Sequence, residues 1–143
     1  MSELPLRPNV CILVYDSDGR LILGERYGRP GIWQFPQGGI EPEISEKENV
    51  LKELEEELGI KQRHIGVLTK LKARNDYDFT EIPEYAIGRY RGQTQSFWLA
   101  EFIGDDIDID VHSIHPEFSG WRWANIQQVR QLVERKRLPG YEA

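Results

Sequence analysis

The chain has 143 residues, 39% of them apolar and 29% charged, and a net charge of −6. These proportions are those of an ordinary globular protein, long enough for a single α/β domain over residues 1–143 with a sizeable core. No stretch approaches a membrane span, and the acidic balance argues against nonspecific coating of nucleic acid, while leaving room for a local basic rim that grips one phosphorylated end.

Near the N-terminus, MSELPLRPNV carries no basic-then-apolar leader, so a cytoplasmic location is expected. The one cysteine, Cys11, sits in an apolar run and reads as a buried core residue in a reducing compartment. Cys and His are too few for a zinc pattern. Residues 10–15 and 21–25 read as strands around the turn Asp16-Ser17-Asp18-Gly19, a hairpin signal. Phe35-Pro36-Gln37-Gly38-Gly39 reads as a tight loop that brings backbone carbonyls toward the element after it.

That element is a helix. Ser45 followed by Glu48 is a capping box, and Gly59 is the stop. Val50, Leu51, Leu54 and Leu58 form one apolar stripe, while Glu53, Glu56 and Glu57 share a different face. Glu55 points to water. The three facing carboxylates repel one another and lie near the helix C-terminus, where the backbone dipole disfavours negative charge. Lys52 is the only cation in the last two turns. A bound dication offsets this repulsion.

Residues 64–73 read as a strand with Ile65, Val67, Thr69 and Leu71 on one face, and 74–92 as a long loop holding Tyr77, Phe79, Tyr85 and Tyr90. A strand over 95–103 follows. Residues 107–111 alternate Asp with apolar side chains, as an exposed edge strand does. Asp105, Asp106, Asp108 and Asp110 then fall on a solvated face and not at a metal. A short strand over 121–123 precedes a final helix capped by Asn125, with Val129, Leu132 and Val133 packing inward.

Segment 38–60 resembles a Nudix box: glycine, five residues, glutamate, seven residues, then Arg-Glu-U-x-Glu-Glu-x-Gly-U, with U apolar. Gly38 matches the first glycine, and Glu53, Leu54, Glu56, Glu57, Gly59 and Ile60 match the second half. Ile44 stands at the first glutamate and Lys52 at the arginine. In the family those two positions usually form an ion pair that braces loop against helix. Both positions are altered together. Lys52 cannot reproduce a bidentate arginine contact, and Glu41 and Glu43 are the acids placed to meet it.

The runs Arg7-Pro8-Asn9-Val10, Trp33 to Gly39, Gly92-Gln93-Thr94-Gln95, Pro116 to Trp123, Val129-Arg130-Gln131 and Lys136-Arg137 are similar to the bacterial RNA pyrophosphohydrolase and diadenosine polyphosphate hydrolase branch. The resemblance implies a Nudix α/β/α sandwich with a mixed sheet. It also implies that the Gly38 carbonyl is a metal ligand, that Glu117 approaches as a further ligand or base, and that Arg7 contacts the 5′ base. Glu53 is the favoured base and Glu117 its rival.

Carboxylates without His or Cys select hard cations, so Mg²⁺ or Mn²⁺ is the expected cofactor on Glu53, Glu56 and Glu57. Catalysis would fall to Glu53, Glu57 and Glu117. Arg26, Gln37 and Lys136 are the candidates for the phosphate end, and Tyr77 for base stacking or for covering core. The expected activity is removal of pyrophosphate from 5′-triphosphorylated RNA. The alternatives are hydrolysis of dinucleoside polyphosphates or nucleotides, and a catalytically weakened binding module. The partner is an RNA 5′ end or a nucleotide, with no membrane, and the chain is a monomer or homodimer.

Overall fold

The computed structural model describes residues 4–79, 82–112 and 116–132. Its longest apolar run lies in β1 (Leu6–Tyr15), whose two faces are both buried: Val10, Ile12 and Val14 on one, Cys11 on the other. A strand covered on both sides needs no polar alternation, and this one has none from Val10 to Val14. The Asp16 turn closes a hairpin to β2 (Leu21–Arg26), with Asp16 Oδ1 accepting from the amides of Asp18 and Arg20 at 3.0 and 2.9 Å.

Then come β3 (Trp33–Gln34), β4 (Gln37–Gly39), α1 (Glu46–Leu58), β5 (Ile65–Asp78), β6 (Gly92–Phe102), β7 (Phe118–Ala124) and α2 (Ile126–Leu132). The seven-stranded sheet runs β3-β2-β1-β6-β5, with β4 also pairing β1 and β7 pairing β2. Pairing of β1 with β6 is parallel and every other pairing is antiparallel, so the sheet is mixed. Val50, Leu54 and Leu58 of α1 pack on one face with Ile12, Trp98 and Phe102. Val129 of α2 packs on the other with Cys11, Leu23, Phe35 and Phe97. Helix, sheet and helix make three layers, the expected sandwich.

Four local expectations are corrected. Gln37–Gly39 is not a loop but a strand, because Gln37, Gly38 and Gly39 pair with Cys11, Val10 and Asn9. In β5 the simple alternation fails: irregularities between Ile65 and Leu68 and between Lys70 and Arg74 turn Val67 outward, 48% exposed, and bring Leu68, Leu71 and Ala73 inward. The same strand continues through Asp78, since Asn75, Asp76, Tyr77 and Asp78 pair with Gln95, Thr94, Gln93 and Gly92. Tyr77 is therefore a strand residue and not a loop residue. Finally, 107–111 is not an edge strand. Residues Asp106–Asp108 form a 3₁₀ turn, closed by a reciprocal capping box in which Asp108 Oδ2 accepts from the Asp105 amide at 2.8 Å. At the end of the described chain, Asn125 does cap α2, with Oδ1 accepting from the Gln128 amide at 2.9 Å. Val133 and Lys136 lie outside the described residues.

Candidate active site

The site grows from the two ends of α1. Ser45 Oγ accepts from the Glu48 amide at 3.1 Å and fixes the first turn. Gly59, at φ 66°, ends the last turn by donating to Glu55 and Leu54 carbonyls. With the helix register set, Glu53, Glu56 and Glu57 each offer one carboxylate oxygen within 4.8 Å of the others. Among the described residues this is the one such group of three or more potential ligands. Glu55 points away and pairs with Lys61 at 2.8 Å.

Gly38 faces this cluster across the gap between β4 and α1. A Cβ at position 38 would overlap the Glu53 carboxyl group, so the strand and the carboxylate approach as closely as they do only because the residue is glycine. Glu117, just before β7, comes in from a third direction. Its carboxyl meets Glu57, and Oε1 accepts from Gln34 Nε2 at 3.2 Å. Burial, reinforced by Glu57 and Glu56, pushes the Glu53 carboxyl up to about 7. Burial and the shared contact raise Glu117 as well, and burial raises Glu57. Glu57 Oε2 is buried and has no hydrogen-bond partner. Oxygen donors alone, mutual repulsion and an orphaned carboxylate oxygen together fit a hard divalent cation.

A cavity of about 700 Å³ opens beside the carboxylates. It brings together nearly all of the expected site residues: Arg7, Arg26, Gln37, Gly38, Tyr77 and Glu117 line it with the three helix acids. Arg7 lies against Gly39, where a Cβ would overlap its guanidinium. Arg26 at the end of β2 bears electrostatically on Glu117. Gln37 Oε1 accepts from Gln95 Nε2 at 2.8 Å, and Tyr77 donates its hydroxyl to Gln93 Oε1 at 2.7 Å. Tyr77 also meets Phe79 edge-on at 6.1 Å.

Sequence reasoning gave no role to several lining residues. Asn9, Asn75, Gln93 and Gln95 form an amide floor: Gln95 Nε2 also donates to Asn9 Oδ1 at 3.1 Å, and Asn75 Nδ2 to Gln95 Oε1 at 3.3 Å. A signal existed. Gln93 and Gln95 fall on the same strand face as Phe97, next to the buried run Ser96 to Trp98, and a buried amide needs partners. Arg29 and Ile82 also line the cavity, and nothing in their local sequence marks them; Phe79 joins them from the aromatic stretch.

A family model for the NUDIX domain matches residues 5–142. The chain belongs to the Nudix family. It is 35% identical over 137 residues to an RNA pyrophosphohydrolase of Sphingopyxis alaskensis, covering 92% of this chain and 85% of that one. It is 39% identical over 126 residues to an RNA pyrophosphohydrolase of Dinoroseobacter shibae, covering 86% and 79%. Among solved structures, its fold is similar to the E. coli dihydroneopterin triphosphate pyrophosphohydrolase, with a TM-score of 0.68, 14% identity, and coverage of 99% and 100%. Nudix hydrolases generally use divalent metal ions, in keeping with the donor set found here.

This Nudix chain departs from the usual box at Ile44 and Lys52, and the structure shows what stands there. Ile44 is half-buried. Lys52 reaches back to Glu41 in a close ion pair, with Glu56 at 3.6 Å on its other side. Of the two acids within reach in the sequence, Glu41 is the partner.

Proposed function

We propose that this chain removes pyrophosphate from 5′-triphosphorylated RNA ends, using Mg²⁺ or Mn²⁺ held by Glu53, Glu56 and Glu57 with the Gly38 carbonyl and Glu117. The observation that carries this reading is one cavity lined both by a cluster of carboxylates and by Arg7, Arg26 and Arg29. Such a cavity suits a polyphosphate whose charge must be neutralised from two sides. The names of the bacterial relatives support RNA as the substrate.

Bound there, the cation would neutralise phosphate charge and make a water more acidic. The protein supplies the rest. Arg26 and Gln37 hold the terminal phosphates; Lys136, the third candidate for that end, lies outside the described residues. Tyr77, fixed by its bond to Gln93, offers a ring to the first base, and Arg7 contacts that base from the β1 side. Glu53 takes the proton as the water oxygen bonds to phosphorus and the bridging P–O bond breaks. Glu117 is the lesser base, because its carboxyl is already engaged by Glu57 and Gln34. The domain over residues 1–143 acts in the cytoplasm as a monomer or homodimer. No described helix is long and apolar enough to cross a membrane.

The test is incubation with Mg²⁺ and either a 5′-triphosphate RNA or a dinucleoside tetraphosphate. Release of pyrophosphate from the RNA, abolished by EDTA, is expected. Preference for the dinucleotide would move the substrate to the diadenosine polyphosphate class. Binding of both without turnover would leave a binding module, and hydrolysis that persists in excess EDTA would overturn the carboxylate site itself.

A further inference from the structure

Asn49 is an odd residue for its place. It lies on α1, one turn after the cap, and is 2% exposed. Asparagine is a poor helix former, and a buried amide is costly unless its hydrogen bonds are made. Its bonds are made, and they run back to the loop that leads into the helix. Oδ1 accepts from the Glu41 amide at 2.9 Å. Nδ2 faces the carbonyls of Glu41, Ser45 and Ile44 at 3.1, 2.9 and 3.5 Å. Both peptide groups of Glu41 are thus clamped by one side chain.

We infer that Asn49 is a positioning residue for the cation site, holding the 41–45 loop on α1 in place of the ion pair whose two positions are Ile44 and Lys52 here. The inference rests on the reading of the site as a cation-dependent hydrolase. Its geometric basis is the shared face of Asn49 and Glu53, four residues apart on the helix. The chain runs from Gly38, against the Glu53 carboxyl, through Ile40, whose amide donates to Pro8 O at 3.0 Å, and then to Glu41 under the Asn49 amide. Fixing Glu41 fixes the spacing between β4 and α1, and with it the gap between Gly38 and Glu53. The Lys52–Glu41 pair acts across the same joint, but its side chains are 39% and 51% exposed, and such pairs add little. A buried amide clamp is also unaffected by salt, whereas an exposed ion pair is screened.

The test measures Mn²⁺ affinity by electron paramagnetic resonance without substrate, and kcat and KM separately on 5′-triphosphate RNA. Asn49→Ala is expected to weaken Mn²⁺ binding and lower kcat by about tenfold each, with KM for RNA little changed. Lys52→Met is expected to change Mn²⁺ affinity by no more than about twofold. The decisive arm is rescue. Ile44→Glu with Lys52→Arg installs the usual pair; it should restore Mn²⁺ affinity in the Asn49→Ala background and leave the otherwise unaltered chain nearly unchanged. A merely structural residue would show no such background dependence. If Asn49→Ala does not fold, Asn49→Asp, which keeps the acceptor for the Glu41 amide and loses the donors, is read the same way. Wild-type Mn²⁺ affinity in the folded Asn49 variant, or an equal gain from the pair in both backgrounds, would overturn the assignment. Absence of RNA hydrolysis by the parent chain would sink the functional reading alone, because the Mn²⁺ affinities still judge the clamp.

Discussion

At the residue scale, each helix acid has a distinct surrounding. Glu53 lies against Gly38, Glu56 is exposed beside Lys52, and Glu57 meets Glu117. Glu53→Gln, Glu56→Gln and Glu57→Gln keep shape and remove charge. Each should lower the rate on 5′-triphosphate RNA by about 100-fold or more, whereas Glu55→Gln, whose partner is Lys61, should be close to neutral in the same assay. A pH dependence follows from Glu53. Burial raises its carboxyl from 4.5 to about 7, so the folded chain binds a proton that the unfolded chain releases earlier. The cation-free protein should therefore melt at falling temperature as pH rises from about 4.5 to 7. Saturating Mg²⁺ should flatten that slope, because the cation offsets the charge the burial opposes. Calorimetric scans with and without Mg²⁺ check both parts.

At the element scale, α1 is the structural key, since the sheet supplies the floor and this helix supplies the acids. Its last turn depends on Gly59, at φ 66°, where an added Cβ would lie 2.9 Å from the Asp110 carbonyl oxygen. Gly59→Ala forces a side chain into the left-handed region and should destabilise the fold by about 1–2 kcal/mol in urea titration, with the contact to Asp110 adding to it. The rate should fall as well, since Glu56 and Glu57 sit in that turn. The first turn is held differently. Glu46 accepts from Trp98 Nε1 at 2.9 Å and Ser96 Oγ at 3.2 Å, and pairs with Lys70 at 2.8 Å, tying α1 to β5 and β6. With the first turn tied to β5 and β6, and the last turn accepting at Leu58 O from the Asp110 amide at 2.7 Å, the acid face is held toward the cavity.

At the scale of the whole molecule, an acidic chain grips an acidic substrate. The formal charge is −6, yet the described cavity gathers Arg7, Arg26 and Arg29. Binding of RNA should accordingly be local, with few counterions released. With Arg26 and Arg29 as the phosphate contacts and Arg7 on the base, the logarithm of affinity should fall against the logarithm of salt with a slope of roughly −1.4 for single-stranded RNA. Fluorescence titration of a 5′-triphosphate RNA over a range of KCl, with catalysis blocked by Glu53→Gln, measures it. A much steeper slope would mean an extended nucleic-acid track beyond the cavity.

The sequence alone determined whatever depends on near neighbours. The limits of α1 follow from Ser45, Glu48 and Gly59 within a turn of the helix ends, and the common face of Glu53, Glu56 and Glu57 follows from helical spacing. The donor chemistry of that face likewise needs no fold to be read. Tertiary structure decided what depends on partners far along the chain. Tyr77 is a strand residue because Gln93 pairs with it, and residues 37–39 are a strand because β1 does. The Asp-rich stretch near 107 turns because Asp105 and Asp108 satisfy each other's backbone, which alternation of residue types does not reveal. Glu117 reaches Glu57 only because β7 pairs with β2, and Asn49 becomes a clamp only because the 41–45 loop folds over it. Periodicity fixes which face a side chain occupies; what that face meets is set by long-range pairing and burial, and these belong to the folded molecule.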